Sequence, residues 1–244
     1  MPRPFLTARW RNLILVTYAA DPAVVAPHLP DGCEPDLVDG VARLSLVAFD
    51  FERARVLGVA WPWHGDFPEV NLRFYVRREG LRGVSFLREF VPRRAIAWAA
   101  RRLYNEPYAA VPMRSRTTPG PGARLTIEHE FRVGGRGQRI VATTDGPAAV
   151  PPEGHASHWL KEHRWGFGQT RAGRPLTYEV VHPTWAIYPD PRVDLALDFA
   201  GVYGPAWAWL NTARPVSTLL AAGSEVTVSP WRAGPPTGDL TRRA

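Results

Sequence analysis

The sequence predicts a mainly β (α+β) protein in which strands and irregular connections outweigh helices, and three observations carry that prediction. Twenty-five prolines and ten tryptophans in 244 residues disfavour long helices, because proline removes a backbone donor and breaks the helix ladder. Residues Glu69 to Val76 alternate polar and apolar side chains, the period of a strand with two different faces. Dipeptides such as Asp39-Gly40, flanked by apolar runs, suit tight hairpin turns. At this length, all-β barrels and sandwiches are often single domains; residues 1–232 are expected to form one domain and 233–244 a disordered tail.

In chain order, Trp10 to Tyr18 reads as a first strand, apolar on both faces from Leu13 to Val16 and therefore central. Asp21 as N-cap and Pro22 at the first helical position start a short helix that Pro30 ends. Pro35 to Val38 and Val41 to Phe51 form a hairpin about Asp39-Gly40. Arg53 to Pro68 reads as a loop, with Trp61, Trp63 and a lone His64. The Glu69 strand follows, then a turn at Glu79-Gly80 and a strand from Gly83 to Phe90.

Pro92 opens one long helix, with Ile96, Ala99, Ala100 and Leu103 at helical spacing toward the core and arginine pairs toward solvent. Pro107 ends it. Arg124 to Arg132 and Gln138 to Thr144 flank Gly134 to Gly137 as a hairpin, and a second helix is expected over HASHWLKEHRW. A strand from Arg174 toward His182 and a last strand from Gly223 to Trp231 complete the fold.

Composition excludes several function classes. The formal net charge is +7, yet Lys161 is the only lysine among 30 basic residues, and the arginines fall in scattered pairs. Without a basic run interleaved with aromatics, no nucleic-acid partner is expected. Cys33 is the one cysteine, which excludes an internal disulfide and a cysteine-rich zinc site. His155, His158, Glu162 and His163 cluster, but their spacing matches no HExxH arrangement, so no metal is expected. The glycines have neither dinucleotide-fingerprint nor P-loop spacing, and no cofactor is expected. With no export core at the N-terminus and no apolar window approaching about eighteen residues, a cytoplasmic protein without membrane contact is expected.

The chemically informative stretch is the row Glu69, Asn71, Arg73 and Tyr75 on one strand face. An acid, an amide, a guanidinium and a phenol in a line describe either a solvent-facing stripe or the lining of a pocket. The segments HLPDG, DGVARLSLVAF, FPEVNLRFYV, GVSFL, AARRLYNEPY, HWLKEHRW and VVHPTW, in that order, resemble the uncharacterised bacterial YqjF-like family of the acetoacetate decarboxylase-like superfamily. The resemblance implies a single antiparallel β-barrel with a few covering helices and a buried pocket. Where the decarboxylases carry a Schiff-base lysine, this chain has Glu106-Pro107-Tyr108, and Lys161 lies in another element, so Schiff-base decarboxylation is not expected.

The pocket reading implies Glu69 as acid or base, or as the partner that neutralises Arg73. Arg73, with Asn71 and His182, would bind a carboxylate, and Tyr75 or Tyr108 would donate to a developing enolate. The expected partner is a small organic acid or carbonyl compound. The protein is then either a proton-transfer enzyme of lyase or isomerase type, or a non-catalytic binding or interaction domain. A homodimer through the tryptophan-rich loop would suit the exposed aromatics.

Overall fold

The computed structural model describes residues 3–62 and 64–234; most of the expected C-terminal tail, and Trp63, lie outside the described residues. The chain opens with β1 (Leu6–Ala20), the short helix α1 (Pro22–Val25), β2 (Ala42–Val56), β3 (Phe67–Arg78) and β4 (Leu81–Val91). Helix α2 (Arg94–Leu103) leads through β5 (Tyr108–Ala110) into β6 (Met113–Pro119), β7 (Leu125–Val133) and β8 (Arg136–Thr144). After α3 (Ser157–Lys161) come β9 (Trp165–Gln169), β10 (Pro175–Val181), β11 (Arg192–Ala196), α4 (Phe199–Tyr203), β12 (Ser217–Ala221) and β13 (Glu225–Val228).

Seven strands close into a barrel, in the order β1, β2, β3, β4, β9, β10, β13 and back to β1. Closure leaves no free edge on these strands. Neighbours are antiparallel except at one seam, where β9 runs parallel to β4 through Trp165 opposite Gly83 and Gly166 opposite Val84. Gly83 permits that approach, since a Cβ there would sit 2.4 Å from the Trp165 carbonyl oxygen. Strand β1 is long enough to pair with β2 along one edge and with both β13 and β12 along the other. Asn12, in the left-handed region at φ 55°, marks the irregularity between those two partners.

A second sheet, β11–β8–β7–β6, lies against the barrel's outer face. Its Ile127, Phe131, Ile140 and Ala142 pack with Leu44 and Leu46 of β2 and with Val70, Leu72, Phe74 and Val76 of β3. Phe199 and Val202 of α4, and Trp207 of the 3₁₀ turn Pro205–Asn211, cover the same core. Each such side chain contributes roughly 1.5–3 kcal/mol when fully buried. Because one face of β3 is used here, alternation turns its other face into the barrel.

Several local expectations hold. Asp21 caps α1 by accepting from the Ala23 amide at 2.8 Å. Asp39-Gly40, Glu79-Gly80 and Gly134-Gly135 all have positive φ, as two-residue turns of the primed kind require.

Others are corrected. The strand Pro35–Val38 is not formed: only Val38 bridges Val41, while Glu34–Pro35 pairs with the end of β3. The expected loop from Arg53 is largely strand, because β2 continues to Val56 and turns back at Leu57-Gly58, so that Arg55 pairs with Ala60. The second helix shrinks to five residues, since Trp165 onward is recruited by the parallel seam. In α2 only Ala97 is fully buried and Leu103 is exposed, because the helix touches the barrel through one narrow stripe.

Candidate functional site

Glu69, Asn71, Arg73 and Tyr75 are all buried, which removes the solvent-facing reading. Opposite them on β2 stand Phe49, Val47 and Ser45, and on β4 stand Glu89, Phe86 and Val84. The row divides into two groups of different chemistry.

The first is acidic. Glu69 Oε1 accepts from Asn71 Nδ2 at 2.9 Å and Oε2 accepts from the Tyr108 hydroxyl at 2.8 Å. Around this pair lie the carboxyls of Glu89 and Glu106, each within electrostatic reach of the others, and Tyr178 is the hydrogen-bonding neighbour of Glu106. Burial raises Glu69 to about 7 and Glu106 to about 8. Burial and the neighbouring carboxyls push Glu89 well above the ordinary range. Asn71 Oδ1, Glu89 Oε2 and Glu106 Oε1 are buried acceptors with no partner among the described residues. Gly166 makes room for the group: a Cβ there would lie 2.2 Å from the Tyr178 ring.

The second is cationic. Arg73 donates to the Leu160 carbonyl at 2.9 Å, its Nε is unpartnered, and its guanidinium lies 5.5 Å from the centre of the Tyr75 ring. It has no carboxylate partner among the described residues, so Glu69 does not neutralise it. The Tyr75 hydroxyl donates to the same carbonyl at 3.2 Å and joins Ser45 and Thr17 through two 2.7 Å contacts. Next to Leu160, the wholly buried ammonium of Lys161 donates to Glu162. Glu162 Oε2 is 3.8 Å from His182 Nδ1, and the His182 ring stacks on Trp185 with centroids 4.0 Å apart. His182 is held below its usual value chiefly by burial, and His163, buried near Arg73, is held down at about 3.

Of the residues singled out from sequence, Glu69, Asn71 and Tyr108 thus meet in one group and Arg73 and Tyr75 in the other, while His182 packs against Trp185 and Glu162 and feels Arg73 only as a nearby charge. Sequence reasoning missed Glu89, Glu106, Lys161 and Glu162 as members. Glu162 carried a usable signal, being next to the sole lysine; Glu89 carried none, because a bulge decides its direction. The register of β3 against β4 shifts at Leu87, so that Leu72 faces Arg88 and Arg73 faces Phe86. That extra residue turns Glu89 inward and leaves Arg88 exposed.

Elsewhere, burial lifts the Cys33 thiol to about 11, which leaves it unreactive at neutral pH. Among the described residues no cluster of three His, Cys, Asp or Glu is arranged to hold a metal. No described helix is long and apolar enough to cross a membrane. A cleft of about 370 Å³ on the outer surface is bordered by Arg101, Arg102, Arg171 and Arg174. It contains none of the row's side chains.

A closed seven-stranded barrel backed by a second sheet is the acetoacetate decarboxylase-like fold. Solved structures bear this out: acetoacetate decarboxylase from Legionella pneumophila superposes with a TM-score of 0.65 over 95% of this chain and 87% of that one, at 15% identity. The enduracididine biosynthesis enzyme MppR complexed with pyruvate does so with a TM-score of 0.63 over 96% and 91%, at 17% identity. Within that fold the chain belongs to the DUF2071 family, described as an uncharacterised conserved protein, whose pattern matches residues 7–225. It is also 31% identical over 108 residues to the uncharacterised protein YqjF of Bacillus subtilis (strain 168), a stretch covering 43% of this chain and 44% of YqjF.

Proposed function

We propose that the barrel interior binds a small organic acid or carbonyl compound, with Arg73 as the carboxylate anchor. The supporting observation is that Arg73, buried and without a carboxylate partner among the described residues, leaves its Nε unused. A buried guanidinium without a counter-charge is costly, and a ligand carboxylate would supply both the charge and a bidentate acceptor. Asn71 is the next polar group along the strand, and His182, 3.8 Å from Glu162 and within reach of the Arg73 charge, is the second candidate partner of the ligand.

Proton transfer falls to the acidic group in this reading. Glu69, held near 7 by burial, has the acidity that suits an acid or base at neutral pH. Tyr108 orients it, and donates to a developing enolate oxygen once its hydroxyl turns from Glu69; Tyr75 is the corresponding donor beside Arg73 when it turns from the Leu160 carbonyl. The chemistry would be of lyase or isomerase type on a keto or hydroxy acid, without a lysine Schiff base, because the one amine is occupied by Glu162.

The test is a thermal-shift series of small carboxylic and keto acids on the wild type and on Arg73→Ala, since a ligand that binds only the folded state raises its melting temperature. A shift in the wild type that is lost in the variant is expected. Equal shifts in both, or none in the wild type, would overturn the anchor. Glu69→Gln then separates an enzyme, which loses turnover but keeps binding, from a non-catalytic binding barrel, which has no turnover to lose.

A further inference from the structure

We infer that the ligand is dipolar, with a carboxylate at one end and an ammonium or guanidinium group at the other, so that it spans the barrel between Arg73 and the Glu69, Glu89 and Glu106 group. This rests on the carboxylate-anchor reading and adds the second end. The acidic group is three buried carboxyls without a basic partner among the described residues. Beside it Asn71, itself only 3% exposed, has an unpartnered Oδ1, as do Glu89 at Oε2 and Glu106 at Oε1. Three buried oxygens without partners, two of them on carboxyls that burial keeps protonated, are what a group carrying several N–H donors and a positive charge would satisfy as it displaces a carboxyl proton.

One residue of each end, Glu69 and Arg73, lies on β3, while Glu89 comes from β4 and Glu106 from the segment after α2. Glu69 and Arg73 are four residues apart on β3, a Cα span of about 13 Å at the usual strand rise. Side chains reaching inward shorten this gap, so a chain of intermediate length is expected to match it better than short or long ones. Phe49, Val47 and Phe86, on the strands facing the row, give the span an apolar flank suited to methylenes.

The experiment is isothermal calorimetry on the full chain with valerate, pentylamine and a series of ω-amino acids from γ-aminobutyrate through δ-aminovalerate and ε-aminocaproate to longer homologues. At least tenfold tighter binding of one intermediate ω-amino acid than of valerate is expected. Glu89→Gln and Glu106→Gln, which keep shape and one acceptor, should erase that advantage while leaving valerate binding intact, which also shows that the variants fold. Valerate binding as tightly as every ω-amino acid, or affinity rising steadily with chain length, would overturn the dipolar ligand and leave the Arg73 anchor standing. Failure of all of them to bind would overturn both.

Discussion

The Tyr108 hydroxyl donates to Glu69 Oε2 across 2.8 Å, joining two residues 39 apart in the chain. The bond exists because β5 runs beside β4, with Tyr108 opposite Glu89, which brings the segment after α2 over the start of β3. It holds Glu69 in one orientation and leaves its second oxygen to Asn71.

Stability should fall as pH rises through neutrality. Glu69 and Glu106 stand at about 7 and about 8 when folded against 4.5 ordinarily. The folded state therefore holds protons that the unfolded state has released. Their contribution is fully present below about pH 4.5 and is lost as pH climbs through the folded values, by up to about 1.4 kcal/mol per pH unit for each carboxyl. Urea melts from pH 5 to 9 check this; a flat or rising profile would refute it.

Glu69→Gln should flatten part of that slope. The amide keeps an acceptor for Asn71 or Tyr108 but cannot ionise, so the variant gains on the wild type as pH rises from about 4.5 to about 7. Parallel melts at pH 5 and pH 9 should show the variant's stability relative to the wild type higher at pH 9 than at pH 5.

Gly166→Ala should destabilise by about 1–3 kcal/mol or more, because the new methyl would collide with the Tyr178 ring, whose nearest atom is 2.2 Å from the Cβ position. Tyr178→Leu in the same chain should recover part of the loss, and denaturant midpoints measure both.

Tyr75→Phe removes a hydroxyl that bonds Ser45 and the Leu160 carbonyl in a buried setting. Ser45 keeps Thr17 and the carbonyl keeps Arg73, so the cost should stay near 1–2 kcal/mol. Loss of folding would mean that the hydroxyl network holds α3 in place.

Borohydride added with pyruvate or acetoacetate should leave the mass of the protein unchanged. Lys161 is fully buried and its amine is engaged by Glu162, which keeps it from attacking a carbonyl carbon. A reduced adduct on Lys161 would overturn the reading that no Schiff base forms.

The strands and turns were legible because they depend on neighbours in sequence. Alternation placed Glu69, Asn71, Arg73 and Tyr75 on one face, and Asp39-Gly40 and Glu79-Gly80 announced their turns through the positive φ such pairs tolerate. The second helix was misread, since HASHWLKEHRW has helical spacing throughout, yet β9 gains more by joining the parallel seam with β4.

By itself, then, the sequence determined the strand-rich class, the shared face of the four-residue row and the place of its one lysine, Lys161, in an element other than the Glu106-Pro107-Tyr108 segment. Which way that face points was decided only by the second sheet, which covers the opposite face with Ile127, Phe131 and Ile140. The split of the row was likewise tertiary: Glu89 and Glu106 come from two other segments, Leu160 and His182 from two more, and the Leu87 bulge selects Glu89 over Arg88. Period-two alternation fixes only which side chains share a face. Closing the barrel fixes what lies opposite them, and that pairing sets their charge.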